Sequence, residues 1–242
     1  MTSIGIFGSM GRMGQAIVAV APQLGAQIAG GCDQGDDTAE LARKADVLVD
    51  FSAPAALEAH LAAARAAWTP IMIGTTGLSE RHHALITQAA GEIPVLQTGN
   101  TSMGIALLAR LVREAAARLG PDWDIEIVEM HHRNKADAPS GTALMLGEAA
   151  AHGIGTTLSA AAVTDRAGLT GPRADGTIGM ASLRGGSVVG DHSVVFATAG
   201  ERIELIHRAD DRAIFARGAV RGALWLKDQQ PGRYTMDQVL GM

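Results

Sequence analysis

Ser3-Ile4-Gly5-Ile6-Phe7-Gly8-Ser9-Met10-Gly11-Arg12-Met13-Gly14 reads as a buried strand that runs into a glycine turn and then a helix. Ser3–Phe7 is the apolar strand, and Ala16–Ala21 continues as an apolar helical stretch that Pro22 is expected to stop. The glycines have separable tasks. One permits the tight turn, one lets a pyrophosphate approach the backbone, and one lets helix and strand pack closely. Gly8, Gly11 and Gly14 are a spacing variant of the usual dinucleotide fingerprint, so the surrounding pattern must carry the reading. A second strand, Gln27–Cys32, ends in Asp33, roughly 20 residues beyond the turn, where an acid holds the adenosine ribose hydroxyls. Asp33 also suits a plain turn, because Gln34-Gly35-Asp36-Asp37 follows. Arg12 is either a solvated helix residue or a partner for a 2′-phosphate, which would admit NADPH beside NADH.

Strands and helices then alternate. A short helix over Thr38–Lys44 precedes a strand at Val47–Phe51, and Pro54–Ala67 is a helix with proline near its first turn. Ile71–Ile73 is a strand ending in Gly74-Thr75-Thr76-Gly77, followed by a helix over Ser79–Ala90. Val95–Gln97 is a fifth strand, ending in Thr98-Gly99-Asn100-Thr101. Such alternation predicts a parallel sheet with right-handed crossovers. Ligands on such a sheet bind beyond the C-terminal ends of its strands. Those ends carry Gly8, Ser9, Met10, Gly11, Arg12, Met13, Asp33, Gly74, Thr75, Thr76, Thr98, Gly99, Asn100 and Thr101. Thr75, Thr76 and Asn100 would serve equally well as turn residues and caps.

Met103–Leu119 is a long helix closed by Gly120-Pro121, and its start is read as the passage into a second domain. Ile125–Val128 looks like a strand, and Gly141–Ala151 like a helix. Residues 153–187 are expected to be partly irregular; Arg166, Arg173 and Arg184 lie here, each either within reach of a substrate or, more simply, a surface charge. Val188–Thr198 and Arg202–His207 form a hairpin through Ala199-Gly200. Asp211–Lys227 is a helix returning to the first domain, and Pro231–Met242 carries no evident chemistry. The expected fold is therefore α/β. A Rossmann-type parallel sheet occupies 1–102 plus 212–242, and an α+β domain on an open mixed sheet occupies 103–211.

Between that strand and that helix stands Glu129-Met-His-His-Arg-Asn-Lys-Ala-Asp-Ala-Pro-Ser-Gly-Thr142, read as a polar strand-to-helix loop. His131 and His132 belong to the residue type that titrates near neutral pH, and Lys135 supplies a mobile ammonium. Ser140, Gly141 and Thr142 open the helix, and its N-terminus suits a carboxylate or phosphate. Taken singly, Ser140 is equally well an N-cap, the histidines solvated and Lys135 a surface charge.

The 242 residues are 47% hydrophobic and 3% aromatic, so the core must be built from Ala, Val, Ile, Leu and Met. The net charge of −5 argues against a nucleic-acid partner and sets the cationic stretch apart from its background. The single cysteine, Cys32, fits a reducing compartment, and a cytoplasmic location is expected. Neither a signal peptide nor a membrane span is read from the chain, and no metal is expected. Adjacent histidines do not share a helix face, and no His-Glu-x-x-His is present. The only tyrosine, Tyr234, has Gln238 rather than lysine four residues on, which argues against a short-chain dehydrogenase. An NAD(P)H-sensing regulator would have no use for the histidine–lysine stretch.

The glycine turn, Gly74-Thr75-Thr76-Gly77 and the Glu129–Thr142 stretch together resemble the 4-hydroxy-tetrahydrodipicolinate reductase family of lysine and diaminopimelate biosynthesis. Arg184-Gly-Gly-Ser-Val-Val-Gly-Asp-His192 and Gly218-Ala-Val-Arg-Gly-Ala-Leu-Trp-Leu226 extend the resemblance over nearly the whole chain. The resemblance implies reduction of 4-hydroxy-tetrahydrodipicolinate, a cyclic dicarboxylate, by NADH or NADPH with loss of water. It implies His131 as proton donor and acceptor, Lys135 as second proton donor, and His132, Gly141 and Thr142 as substrate-binding residues. It also implies the nucleotide residues named above and a homotetramer associating through the second domain's sheet. Two departures stand out. The segment between Asp33 and Val47 is compressed, and Thr101 stands where relatives often have an aromatic residue.

Overall fold

In the computed structural model, which describes residues 1–242, the chain forms two units. One is Met1–Met103 with Ala213–Met242, and the other is Gly104–Arg212.

The first unit begins with β1 (Thr2–Phe7), α1 (Arg12–Val20), β2 (Ala26–Cys32), α2 (Thr38–Lys44) and β3 (Val47–Asp50). It continues through α3 (Leu57–Ala67), β4 (Ile71–Ile73), α4 (Glu80–Ala90) and β5 (Pro94–Gln97). Its strands are short and nearly all apolar, as a sheet covered on both faces requires. Phe7, Leu48, Leu57, Ile71, Ile73, Ile86 and Val95 fill the main core cluster. Pairing is parallel throughout, and β1 lies between β2 and β3, so the strand order reverses at β1. That reversal opens the crevice where α/β sheets hold ligands.

Two expectations for this unit are corrected. The sheet has six strands and not five, because Gly232–Tyr234 in the tail pairs with β5. Three residues are too short to show a period, and only the partner strand makes them a strand. The α-helix does end just before Pro22, at Val20, but Ala21–Leu24 continues as a 3-10 turn that ends at Gly25 with φ of 75°. Proline is tolerated at the start of a new turn, where its missing N–H has no partner to lose. For the same reason Pro54–Ala56 is a 3-10 turn and the α-helix begins at Leu57.

The second unit contains α5 (Met103–Leu119, entering from the first), β6 (Asp124–His131), α6 (Gly141–Gly153), α7 (Leu158–Ala161) and β7 (Ala162–Val163). After these come β8 (Ile178–Arg184), β9 (Gly190–Thr198) and β10 (Glu201–Ala209). The sheet order is β10-β9-β6-β8-β7, antiparallel on the β9 and β10 side and parallel on the β7 and β8 side. The fold is thus α/β, a Rossmann-type parallel sheet with a second, mixed sheet. Helices α8 (Ala213–Leu226) and α9 (Met236–Val239) belong to the first unit, with β11 (Gly232–Tyr234) between them.

The segment 153–187 is partly irregular, as expected, between 164 and 177, and it also holds β8, whose single β-branched residue is Ile178; parallel pairing with β6 makes it a strand. One expectation is corrected here. The first strand does not end at Val128. It runs on to His131, so Glu129, Met130 and His131 are strand residues and not loop residues. Inward positions alternate Ile125, Ile127, Glu129, His131, all buried. The period of two persists while its residues turn from apolar to ionisable, which hides the strand's end from a hydrophobicity pattern.

Candidate active site

At the end of β1, Gly8 has φ of 83°, and a Cβ there would lie 2.6 Å from the Phe51 carbonyl oxygen, so only glycine fits. At Gly14 a Cβ would lie 2.4 Å from the Gly8 oxygen, which shows how closely α1 approaches the strand end. Gly11, the N-cap of α1, is exposed, and a Cβ there would lie 3.2 Å from the Gly8 oxygen. A cavity of about 560 Å³ adjoins Gly8 and Gly11, with Asp33, Phe51, Ser52 and His60 among its lining.

Asp33 is half-buried and already engaged. Its carboxylate accepts from the Ser9 hydroxyl and from the Met10 amide at 3.1 Å. Met10, Gly11 and Arg12 are exposed, with Ser9 and Met13 half-buried. One carboxylate and no lysine or arginine line the cavity. Its floor is held by Asp50, fully buried, which accepts from Ser52 N at 3.0 Å, Thr75 Oγ1 at 2.9 Å and His60 Nδ1 at 2.8 Å. Burial pushes the Asp50 carboxyl up, but the His60 hydrogen bond and charge, with Ser52, outweigh it and hold it below its ordinary value. The His60 ring stacks on Phe7 with centroids 3.9 Å apart.

Other expected nucleotide residues are also partly committed. Gly74 lies against the Phe51 ring, Thr75 is buried on Asp50, and Thr76 is exposed. The Thr98 hydroxyl donates to the Asn100 carbonyl and accepts from the Asn100 amide, and Gly99 is exposed. Thr101 is buried, and its hydroxyl donates to the Phe215 carbonyl at 2.7 Å. Its side chain is therefore taken up by the fold, leaving its backbone for any ligand.

In the second unit, the covered face of the sheet changes character along its length. Ile125, Ile127, Ile178, Met180, Val194 and Phe196 form the apolar part of the core. Farther along the same strands come Glu129 and His131 of β6, Arg184 of β8 and His192 of β9, brought side by side by the registers Glu129↔His192 and His131↔Arg184. Glu129 Oε2 lies 2.6 Å from His131 Nδ1 and 2.8 Å from an Arg184 guanidinium nitrogen. Its Oε1 accepts from the other guanidinium nitrogen at 2.9 Å and from Ser140 N at 3.1 Å. Burial alone would raise the Glu129 carboxyl; hydrogen bonds from Arg184, Ser182 and His131 prevail and hold it at about 2. The expectation that Arg184 is a surface charge is corrected, since its fork grips a carboxylate that is 1% exposed. Arg173 and Arg166 both pair with Glu126 and make no contact with the histidine cluster.

Ser140 caps α6 by accepting from Ala143 N at 3.2 Å, and its hydroxyl lies 3.2 Å from His192 Nε2. His192 is 4% exposed, its Nδ1 has no partner, and its ring sits edge-on to His131 with centroids 5.1 Å apart. Burial, then the charge of His131, pushes its pKa down to about 4. Lys135 Nζ is held by Asp137 at 2.8 Å and 2.9 Å. His132, next to buried His131 but half-exposed, meets Arg212 at 3.1 Å. Gly141 and Thr142 are the first two helical residues of α6, and a Cβ on Gly141 would meet open space. His131, Lys135, His132, Gly141 and Thr142 all lie between the end of β6 and the first turn of α6.

Sequence reasoning gave no role to Glu129, Arg184, His192, Asp50 or His60. For Glu129 a signal existed: the step of two from Ile127 through Glu129 to His131 puts the carboxylate and the imidazole on one strand face. No local pattern links Arg184, 55 residues away in sequence, to Glu129.

Residues 2–101 match the family described as dihydrodipicolinate reductase, N-terminus, and residues 104–240 the one described as dihydrodipicolinate reductase, C-terminus. The chain is 56% identical over 246 residues to the 4-hydroxy-tetrahydrodipicolinate reductase of Zymomonas mobilis subsp. mobilis, covering 99% of this chain and 97% of that protein. To the protein of the same name in Acidiphilium cryptum it is 48% identical over 240 residues, with coverage of 99% and 97%. Among solved structures, a dipicolinate-bound dihydrodipicolinate reductase from Paenisporosarcina sp. TG-14 superposes with a TM-score of 0.81 at 22% identity, covering 97% of each chain. A probable dehydrogenase from Thermotoga maritima shares the fold at a TM-score of 0.63 and 11% identity, covering 98% of this chain and 92% of that one.

Proposed function

The chain belongs to the dihydrodipicolinate reductase family, and from that premise we propose that it reduces 4-hydroxy-tetrahydrodipicolinate to tetrahydrodipicolinate with a nicotinamide cofactor, releasing water, in lysine and diaminopimelate biosynthesis. The observation that carries the mechanism is the end of β6, where a buried imidazole is held at Nδ1 by a carboxylate, next to a lysine and a helix N-terminus.

The first unit is the dinucleotide-binding domain. Gly8–Met13 receive the pyrophosphate, since Gly11 is exposed and α1 begins at Arg12. Asp33 takes the ribose hydroxyls once it releases Ser9 and Met10. Gly74–Thr76 and Thr98–Thr101 complete the site, Thr101 through its backbone. NADH is the preferred cofactor. A 2′-phosphate would face Asp33 with Asp36 and Asp37 nearby, and the cavity lining offers it no lysine or arginine.

The second unit binds the substrate. Lys135 exchanges Asp137 for one substrate carboxylate, and His132 with the α6 start at Gly141 and Thr142 holds the other. When bound, the nicotinamide supplies the hydride to the ring carbon. His131 hands over the proton that the ring then requires, and Lys135 serves as the second donor. The face of the sheet opposite the core exposes Leu183 and Ile206, with Val128, Met130 and Val195 half-buried beside them. This face associates with further copies of the chain in a cytoplasmic homotetramer.

A coupled assay with enzymatically generated substrate, following nicotinamide absorbance with NADH and NADPH in turn, tests the reading. Turnover is expected with both and a higher kcat/KM with NADH. Absence of turnover with either would overturn the reductase reading, and a clear NADPH advantage would overturn the cofactor preference alone. Sedimentation as a monomer would remove the tetramer.

A further inference from the structure

The Glu129 carboxylate accepts from His131, both Arg184 guanidinium nitrogens and the Ser140 amide, two on each oxygen, with the Ser182 side chain as a further donor. A carboxylate offers about four acceptor sites, so this one is filled. Its donors come from three elements: His131 on β6, Arg184 on β8, and the Ser140 amide at the start of α6. The fork of Arg184 fixes the plane of the carboxylate, and the Ser140 amide fixes it against α6. At a carboxyl group held at about 2, neither oxygen carries a proton at neutral pH, so the 2.6 Å contact requires Nδ1–H on His131.

We propose that Glu129, clamped by Arg184, is a positioning residue for His131: it holds the ring through Nδ1–H and leaves Nε2 as the atom that exchanges the proton with the substrate. The inference rests on the proton role of His131 proposed above and deepens it. Arg184 has a second task. It neutralises the carboxylate, so that the ring is oriented by a full hydrogen bond without the pull of an uncompensated negative charge. The other charged or titratable groups around the ring are His192 on β9, edge-on at 5.1 Å, and Lys135 with Asp137 in the turn before α6. Lys135 and Asp137 neutralise one another, and His192 is neutral above pH of about 4. The Glu129–Arg184 pair therefore sets the electrostatic balance at the ring.

Two substitutions then act in opposite directions. Glu129→Gln keeps the shape but removes the charge, leaving Arg184 unbalanced. It is expected to lower kcat about 100-fold through loss of ring alignment, with substrate KM little changed. The pH limb of kcat should move to lower values by about one unit. Arg184→Met leaves the carboxylate uncompensated and should move that limb to higher values by a similar amount. A residue that only supports the fold would move neither limb, or would move both the same way.

A second measurement, independent of turnover in the Glu129 and Arg184 variants, is made on the full-length protein labelled with 15N in its histidines, with His131 assigned by comparison with His131→Gln. The neutral ring is expected as the Nδ1–H tautomer. An Nε2–H tautomer, or limbs unmoved in Glu129→Gln while His131→Gln abolishes turnover, overturns the positioning role and leaves the function reading intact. Full turnover in His131→Gln overturns the reading of His131 and this proposal with it.

Discussion

At the end of β1 the groups offered to a ligand are backbone amides and the space left where three residues have no side chain. At the end of β6 they are side chains, each held by another. Gly8, Gly11 and Gly14 lie within seven residues, and each acts through its own backbone, so the turn is largely a matter of local sequence, with Phe51 and Asp33 from neighbouring strand ends packed against it. Glu129, His131, Ser140, Arg184 and His192 come from four elements and acquire a shared geometry only when β6, β8 and β9 pair. A site made of backbone tolerates change in its side chains and fails when a Cβ is added. A site made of cross-strand side chains fails when one charge is removed, because the remaining buried groups lose their partners.

That contrast can be broken most sharply at His131. His131→Gln is expected to lower kcat by about 10²–10⁴, the usual yield of general acid–base assistance, in the coupled assay. A kcat unchanged in this variant would mean that the side-chain cluster is not the chemical end of the molecule. Lys135→Ala should lower kcat/KM by roughly 100-fold, divided between both parameters, if the ammonium serves binding and proton delivery as proposed. Normal steady-state constants would reduce Lys135 to a half-buried ion-pair partner of Asp137.

The backbone site is sharpened by a pair of glycine variants. Gly14→Ala places a Cβ 2.4 Å from a carbonyl oxygen that cannot retreat, and should destabilise the first unit by about 1–3 kcal/mol. Gly11→Ala meets nothing closer than 3.2 Å and should leave thermal unfolding little changed while weakening NADH binding measured by titration calorimetry. If the two variants behave alike, the division of labour among the glycines is wrong.

The smallest effect concerns pH. His192 has its folded value lowered from 6.5 to about 4, so its contribution to stability is present above pH 6.5 and is lost as pH falls towards 4. Glu129, lowered from 4.5 to about 2, adds its loss only below pH 4.5. The second unit should therefore weaken first on acidification, by about 2 kcal/mol at pH 5 through His192 alone. Hydrogen exchange resolved by segment would show this in β6 and β9, and His192→Gln should flatten the trend between pH 6.5 and 4. Uniform weakening of both units over that range would contradict it.

The sequence by itself determined what depends on near neighbours in the chain. The alternation of short apolar runs with helical stretches specified the parallel sheet, the glycines specified the turn, and the histidine–lysine stretch marked the candidate site. It could not show where β6 ends, because inward-facing Glu129 and His131 break the hydrophobic pattern without breaking the strand. It could not show β8 or β11, whose residues become strands only against β6 and β5. Tertiary structure alone decided that Arg184 belongs to Glu129, that Asp50 is balanced by His60, and that the Thr101 hydroxyl is taken by Phe215. The reason is physical. A backbone preference is a property of a few consecutive residues, whereas the pairing of a buried charge is imposed by the low-dielectric interior, which exists only once distant strands have come together.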